Sequence, residues 1–134
     1  MKKGDILFHP QFKFTDGETG RKYLILLNNP DLQKSEPFLL CKTTSNPKGK
    51  PQKQGCYPDR NLYVLDAGFD FFPEKTWIQF YEIFEAQSND LIRDHFEYGL
   101  EIKKTLREQT INEIVNCIKK SDDISEYHLS FLRK

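Results

Sequence analysis

Five short apolar or aromatic segments, with no helical pattern between them, constrain the fold of this 134-residue chain more than any other feature. Polar stretches containing Gly or Pro separate them, and the segments are 5–8, 23–27, 38–44, 62–65 and 76–84. The second segment is continuously apolar, which is typical of a strand buried on both faces. Short strands joined without helices predict an antiparallel barrel or sandwich rather than a parallel α/β sheet.

The last third of the chain has helical patterns. Ile111, Ile114, Val115 and Ile118 follow the spacing of an amphipathic helix, and Thr105-Leu106-Arg107-Glu108 has the form of a capping box before it. Two further helices are predicted, over about 90–98 between a capping Asn89 and Gly99, and over about 123–132. We therefore predict one domain over residues 1–134 that is mainly β, with about five antiparallel strands over about 4–86 and two or three helices over about 88–132.

The net charge is zero, but the charge is polarised along the chain. Residues 1–60 hold eleven Lys and Arg against six Asp and Glu, whereas residues 61–134 hold nine against fourteen. Between residues 42 and 53 there are four lysines and no carboxylate. Such a loop can attract a phosphate backbone on a neutral protein, although lysines in a simply solvated loop have the same composition.

Several functional classes receive no support from the sequence. No apolar run approaches the ~20 residues of a membrane span, and the run Ile6-Leu7-Phe8 is too short for a secretory signal. The cysteines, at positions 41, 56 and 117, are widely spaced, which predicts reduced thiols rather than a zinc or redox motif. The three histidines are far apart. We therefore expect a cytoplasmic protein without membrane association, metal or cofactor.

One constellation could act on a phosphodiester. Arg21 and Lys22 precede the second predicted strand, and Thr43 and Thr44 end the third. If these strands are neighbours, a cation and a hydroxyl meet at one end of the sheet. The cation could stabilise charge on a phosphorane, and the hydroxyl could orient a phosphate oxygen. Alternatively, Lys22 extends its stem over apolar surface and the threonines fill an edge strand.

A second pattern is that of a metal-dependent nuclease. Pro58-Asp59 and Glu101-Ile102-Lys103 match the letters of a PD-(D/E)xK motif. Its second element belongs on a strand beside the first, whereas Glu101 is predicted to lie between two helices. This alternative remains weaker than the first.

Five segments follow one another over about residues 3–121: Lys3-Gly4-Asp5-Ile6-Leu7, the stretch Gly20-Arg21-Lys22-Tyr23 through Asn29, Leu40-Cys41-Lys42-Thr43-Thr44-Ser45, Trp77-Ile78-Gln79-Phe80-Tyr81-Glu82-Ile83 and the helix over 110–121. In this order they resemble the MazF/PemK toxins, the RNA-cleaving halves of bacterial toxin–antitoxin pairs. The tail after Ser121 has no counterpart in the shortest family members.

The resemblance implies a small SH3-like barrel that forms a homodimer, needs no metal and is neutralised by a cognate antitoxin. It also implies cleavage of single-stranded RNA by attack of the 2′-hydroxyl on the adjacent phosphorus. The family's catalytic threonine corresponds to Thr44. Its arginine corresponds to Lys22 when the apolar runs are aligned, with Arg21 one residue earlier, so both are catalytic candidates.

Candidate RNA-binding residues surround these positions: Lys42, Thr43, Ser45, Lys48, Lys50, Phe12 and Phe14. The two phenylalanines could stack on bases, or could instead form a hydrophobic clasp or a dimer contact. Because the family's Arg-Pro pair is missing here, a second interpretation stays open, in which the chain is a catalytically inactive module that binds RNA or a protein.

Overall fold

A computed structural model describes residues 1–13 and 19–133 of the chain, with the backbone alone at Lys13 and Thr19. Seven strands and three α-helices follow one another in the order below. The strands are β1 (Asp5–Lys13), β2 (Thr19–Leu26), β3 (Phe38–Thr44), β4 (Gly55–Tyr57), β5 (Leu62–Leu65), β6 (Thr76–Ala86) and β7 (Glu101–Thr105). The helices are α1 (Ser88–Tyr98), α2 (Glu108–Lys119) and α3 (Glu126–Leu132), and short 3₁₀ turns occupy Leu32–Lys34 and Pro58–Arg60.

All seven strands form one antiparallel sheet in the order β4-β5-β6-β3-β2-β1-β7. The prediction of a mainly β fold with C-terminal helices is confirmed, and the five predicted strands correspond to β1, β2, β3, β5 and β6. Across the described residues the sheet does not close, because β4 and β7 form its two edges. Neither edge strand was predicted, because neither has an apolar pattern in the sequence. β4 has only three residues, and residues 101–104 of β7 are all exposed.

The sheet is buried on both faces. Tyr23, Ile25 and Leu27 belong to a core that includes α2, while Leu24 and Leu26 belong to a second core on the opposite face with Leu91 of α1. The apolar stripe predicted on α2 is buried in the first core. Leu132 of α3 reaches the same core, so the chain after Ser121 packs on the sheet.

The start of α2 differs from its prediction. The helix begins at Glu108, and Thr105 ends β7 instead of capping the helix. The Thr105 hydroxyl donates to Asp5 Oδ1 at 2.6 Å, and the Asp5 carboxylate is buried. The Thr105 hydroxyl therefore hydrogen-bonds to a carboxylate on the neighbouring strand, and it does not cap the N-terminus of α2 as the capping-box pattern predicted.

The cysteines also differ from their prediction. Cys56 of β4 and Cys117 of α2 form a disulfide across a sequence separation of 61 residues. Cys41 is a free and buried thiol, and burial raises its pKa to about 12. Spacing could not show the pairing, because only the tertiary fold brings α2 against β4. None of the described helices is long and apolar enough to cross a membrane.

Candidate nucleic-acid interface

An open cleft of about 770 Å³ lies at the end of the sheet where β2 begins and β3 ends. One wall comes from β1, β2 and β3, and the other from the segment between β5 and β6. The lining residues are Phe8, Arg21, Lys22, Tyr23, Thr43, Thr44, Ser45, Phe71, Phe72, Pro73, Glu74 and Thr76.

The pairing of β2 with β3 brings the predicted cations and hydroxyls together. The strands are antiparallel neighbours with Leu24 opposite Lys42, so residues before Leu24 lie beside residues after Lys42. Thr43 Oγ1 donates to the carbonyl of Tyr23 at 3.0 Å, and Lys22 Nζ donates to the carbonyl of Thr43 at 3.2 Å. The neighbouring strands that the prediction required are therefore present, and Arg21, Lys22, Thr43, Thr44 and Ser45 share one cleft.

Both Arg21 and Lys22 line the cleft, although adjacent residues on a regular strand point to opposite faces. The register between β1 and β2 shifts at this point, since His9 pairs with Lys22 whereas Phe12 pairs with Gly20. Two residues of β1 thus lie opposite Arg21 alone. Such a bulge increases the local twist. Consecutive residues of β3 and the turn after it also line the cleft, as expected for a cavity at the end of a sheet.

The two threonines have different roles in hydrogen bonding. The Thr43 side chain is buried and its hydroxyl proton is committed to the Tyr23 carbonyl. Thr44 is half-buried, and its Oγ1 accepts from the backbone N–H of Asn46 at 3.2 Å. That contact orients the hydroxyl and leaves its proton to donate into the cleft. Thr44 is therefore the better donor to a ligand oxygen.

The Lys22 ammonium lies in a region of positive potential. Burial, followed by the charges of Lys42 and Lys50, lowers the pKa of Lys22 from its usual 10.5. A phosphate in the cleft would oppose the two like charges and favour the charged lysine. The arrangement is suited to an anion because binding relieves electrostatic repulsion that already exists in the folded protein.

Aromatic rings form the rest of the wall. Tyr23 packs against Phe8 with ring centroids 5.3 Å apart, and against Phe71 and Phe72 at 5.9 Å each. Phe72 is buried in the core, whereas Phe8, Tyr23 and Phe71 are half-buried. Partly exposed aromatic rings beside cations are a surface on which unpaired bases can stack while the cations contact the backbone. None of these four residues was predicted from the sequence to belong to the site. The dense aromatic stretch Phe69-Asp70-Phe71-Phe72 was the available signal.

The segment bearing Phe71 and Phe72 is held by Arg107, just before α2. The backbone N–H and the Nε of Arg107 donate to Asp70 Oδ2 at 3.2 and 3.3 Å. The guanidinium also donates to the carbonyl of Phe69 and lies 4.7 Å from the centroid of its ring. Arg107 thus positions the aromatic wall from a distance in sequence.

The lysine-rich loop is anchored on the structure. Trp77 Nε1 donates to the carbonyl of Pro51 at 2.7 Å, Arg60 Nη2 to that of Gly49 at 2.6 Å, and the Tyr57 hydroxyl to that of Lys53 at 2.7 Å. Lys48 is exposed and Lys50 half-buried. Lys42 lies outside the cleft lining, with Nζ 4.6 Å from the centroid of the Tyr81 ring.

Other predicted residues lie elsewhere. Phe12 packs edge-to-face on Phe84 at 4.9 Å in a separate pocket, and Phe14 is outside the described residues. The candidate metal-nuclease residues lie at opposite edges of the sheet, with Asp59 beside β4 and Glu101 on β7. In the described part of the chain, no group of three or more His, Cys, Asp or Glu side chains is placed to hold a metal ion.

The cleft therefore combines two cations, the carboxylate of Glu74, one oriented hydroxyl and partly exposed aromatic rings. Comparison with known proteins adds no identification: no family model matches the chain, and no curated protein sequence matches it.

Proposed function

We propose that this protein binds single-stranded RNA in the cleft and cleaves it without a metal, as the toxin of a toxin–antitoxin pair resembling MazF/PemK. The observation that carries the proposal is the convergence of Arg21, Lys22 and the oriented hydroxyl of Thr44 in one aromatic-lined cavity. The cations can neutralise the phosphate charge, the hydroxyl can donate to a phosphate oxygen, and the exposed parts of the rings can stack on unpaired bases.

The proposed reaction is an internal transesterification. The 2′-oxygen of the RNA forms a bond to phosphorus and loses its proton, while the bond to the 5′-oxygen breaks and that oxygen gains a proton. The products are a 2′,3′-cyclic phosphate and a 5′-hydroxyl. Arg21 and Lys22 stabilise the extra negative charge of the transition state, and Thr44 donates to a non-bridging oxygen.

A second function, RNA binding without cleavage, is favoured by one specific observation. The Lys22 ammonium already donates to the carbonyl of Thr43, so part of its hydrogen-bonding capacity is used within the protein. A lysine also lacks the bidentate geometry of arginine. In this alternative the cleft and the Lys48–Lys53 loop hold an RNA strand and the backbone is left intact.

The first experiment separates the two functions. Purified protein is incubated with single-stranded RNA of mixed sequence, with the matching DNA, and with RNA carrying one 2′-deoxy substitution at the mapped cut, each with EDTA or magnesium. Cleavage only of RNA, in EDTA, with cyclic-phosphate ends supports the proposal. If the protein binds RNA and cuts none of it under either condition, the binding function replaces it.

Substitutions then test the site. Thr44→Val removes the hydroxyl at nearly constant shape and should slow cleavage by roughly 10²–10³-fold, as for loss of one oxyanion donor. Thr44→Ser keeps the hydroxyl and is the matched control. Arg21→Gln and Lys22→Gln, compared with Lys34→Gln on an exposed turn away from the cleft, identify which cation serves catalysis. Parental rates in all the cleft variants would show that cleavage occurs elsewhere.

The remaining parts of the proposal concern partners and location. A cytoplasmic toxin of this kind would arrest growth when expressed, and a small antitoxin encoded beside it would restore growth. It would also function as a homodimer. Harmless overexpression of a protein that cuts no RNA would argue against the toxin assignment without affecting RNA binding.

A further inference from the structure

Glu74 is the one acidic residue among the described residues that line the cleft. It is exposed, and its carboxylate forms no hydrogen bond or ion pair with any residue that the structure describes. Lys75, the next residue, donates to the carbonyl of Gln52 instead. In a cleft that also holds Arg21 and Lys22, a carboxylate repels a bound phosphate unless it accepts hydrogen bonds from another part of the ligand. The Glu74 oxygens are therefore available to donors on a base.

The backbone around Glu74 is held in place. The hydroxyl of Thr76, a buried residue, donates to the carbonyl of Glu74 at 2.9 Å. Two residues before Glu74, Phe72 is buried in the core, and its carbonyl accepts from the N–H of Gly68 at 2.9 Å. Pro73 between them has a restricted φ. A fixed backbone of this kind is what a side chain needs if it is to select one ligand over another.

A stacking surface lies on the same wall of the cleft as Glu74. The half-buried rings of Phe71 and Tyr23 have centroids 5.9 Å apart. Phe71 precedes Glu74 by three residues, which span at most about 10–11 Å even in an extended chain. A purine stacked on Phe71 and a glutamate side chain can together cover that distance, so the edge of the base can reach the carboxylate. Arg21 and Lys22 remain for the phosphate backbone.

The chemistry of a carboxylate selects among the four bases. It offers two acceptor oxygens and no donor. Guanine carries two adjacent donors on its Watson–Crick edge, N1–H and the N2 amino group, and they match the two oxygens in a bidentate pair. Adenine and cytosine each place one amino donor beside a ring nitrogen that accepts, and uracil flanks its one N–H with two carbonyl oxygens. These three bases would each turn an acceptor toward the carboxylate. In a single strand the Watson–Crick edge is free to be read.

We infer that the cleft selects single-stranded RNA containing guanine, with the Glu74 carboxylate accepting from N1–H and the N2 amino group of one unpaired guanine. The inference rests on the proposed binding of RNA in the cleft and names the base that is recognised there. It holds whether or not the strand is then cut. Glu74 is in this arrangement a specificity-determining residue, distinct from Arg21, Lys22 and Thr44, which act on the phosphate.

The first test measures binding of the parent protein to short 2′-fluoro RNAs, which lack the attacking hydroxyl and differ only in one central base among uridines. Fluorescence anisotropy should give a dissociation constant for guanine that is lower than for adenine, cytosine or uracil by roughly tenfold or more. Inosine lacks the N2 amino group and should bind more weakly than guanine. 7-Deazaguanine keeps the Watson–Crick edge and should bind as guanine does.

These analogues distinguish Glu74 from a cation as the reader of guanine. Arginine commonly recognises guanine through O6 and N7. If 7-deazaguanine weakens binding and inosine does not, Arg21 or Lys22 reads the base and the inference is overturned. Equal binding of all four bases would overturn this inference alone, because RNA binding itself would remain. A parent protein that binds none of these strands and cuts no RNA would overturn the proposed function together with the inference.

The second test replaces the carboxylate. Glu74→Gln keeps the size of the side chain but exchanges one acceptor for an amide donor, so the preference for guanine should fall by roughly tenfold. The amide matches the N6 amino group and N1 of adenine, and binding of the adenine strand should become tighter. Glu97→Gln, at an exposed position of α1 outside the cleft lining, is the matched control and should bind as the parent does.

The same variant separates base recognition from catalysis. If Glu74→Gln slows cleavage and leaves the order of base preference unchanged, the carboxylate acts on the reacting 2′-hydroxyl and the inference is overturned. If the preference changes and the parental rate is recovered on RNA that carries adenine at the recognised position, the inference is supported. Circular dichroism of both variants confirms that they are folded, and the inosine measurement on the parent protein needs no variant.

Discussion

The two edge strands of the sheet, β4 and β7, are held in different ways. At one edge, β4 is joined to α2 by the Cys56–Cys117 disulfide, and the lysine-rich loop before it is held by Trp77, Arg60 and Tyr57. At the other edge, β7 presents exposed side chains and an apolar groove. Both edges have an outer side that pairs with no described strand, but only the β4 edge is covalently fixed.

This difference shows how short edge strands are stabilised. Three residues of β4 provide too few ladder hydrogen bonds to hold the strand, so a distant helix and several side chains hold it instead. β7 is attached on its inner side, through β1 and the Thr105–Asp5 hydrogen bond. Its outer side pairs with no described strand.

The largest effect should follow from breaking the covalent edge. Loss of a cross-link that closes a loop of this length should lower the free energy of unfolding by about 4 kcal/mol, chiefly through the entropy of the unfolded chain. Urea denaturation of the parent with and without reductant measures it. The Cys56→Ala/Cys117→Ala variant should be insensitive to reductant, and equal midpoints for the parent in both conditions would contradict the expectation.

The next largest effect concerns the inner side of the β7 edge. Thr105→Val removes the hydroxyl that donates to Asp5, leaving a buried carboxylate oxygen without that donor. We expect a loss of about 2 kcal/mol in the free energy of unfolding. Thr105→Ser retains the hydroxyl and should recover much of the loss. A Val variant as stable as the parent would mean that β1 alone holds β7.

A smaller effect should follow from loosening the fixed edge without breaking the disulfide. Tyr57→Phe deletes the hydroxyl that donates to the carbonyl of Lys53 and should cost about 0.5–1 kcal/mol. Amide hydrogen exchange should become faster over residues 48–54 and stay unchanged over β7. Tyr127→Phe, at an exposed position of α3, provides the control. Faster exchange at both edges would contradict their independence.

Lys50 of the lysine-rich loop should also influence the pKa of Lys22 in the cleft. Lys50→Gln removes one of the charges that lower the pKa of Lys22, so this pKa should rise toward its usual 10.5. NMR titration of the Lys22 Cε resonance measures it, with Lys34→Gln as control. Because the pKa is lower in the folded state than in the unfolded chain, Lys22 disfavours folding at neutral pH. That penalty should be relieved as the pH rises through the folded-state pKa. An unshifted titration in Lys50→Gln would show that burial and Lys42 lower the pKa without a contribution from Lys50.

The smallest effect on stability should come from Phe96→Glu on α1, beside the β7 edge. The side chain is 80% exposed, so the free energy of unfolding of the monomer should change by no more than about 0.5 kcal/mol. Urea denaturation at a concentration too low for association measures it. A large loss would mean that Phe96 supports the fold itself.

Elements with long, regular patterns could be predicted from the sequence, and elements that depend on neighbours could not. The apolar stripe of α2 and the apolar run of β2 are visible in the residues themselves, since burial on one helix face or on both strand faces imposes its own spacing. The exposed residues 101–104 of β7 carry no such pattern. That strand exists because β1 lies beside it.

The candidate site divides in the same way. The positions of Arg21, Lys22, Thr43 and Thr44 at the ends of two strands could be inferred from the sequence, because neighbouring strands in a hairpin-like order usually pair. The role of Phe71 and Phe72 could not, since Arg107 and Asp70 bring that segment to the cleft from 37 residues apart in sequence.

By itself, the sequence determined that short strands precede helices and that cations and hydroxyls mark two strand ends, because local spacing and composition carry that information. Only the tertiary structure decided that Cys56 meets Cys117, that Arg21 and Lys22 share one cleft with Phe71, and that β7 forms an edge of the sheet. Each of these depends on contacts between segments that are distant in sequence, and such contacts leave no periodic pattern in the chain.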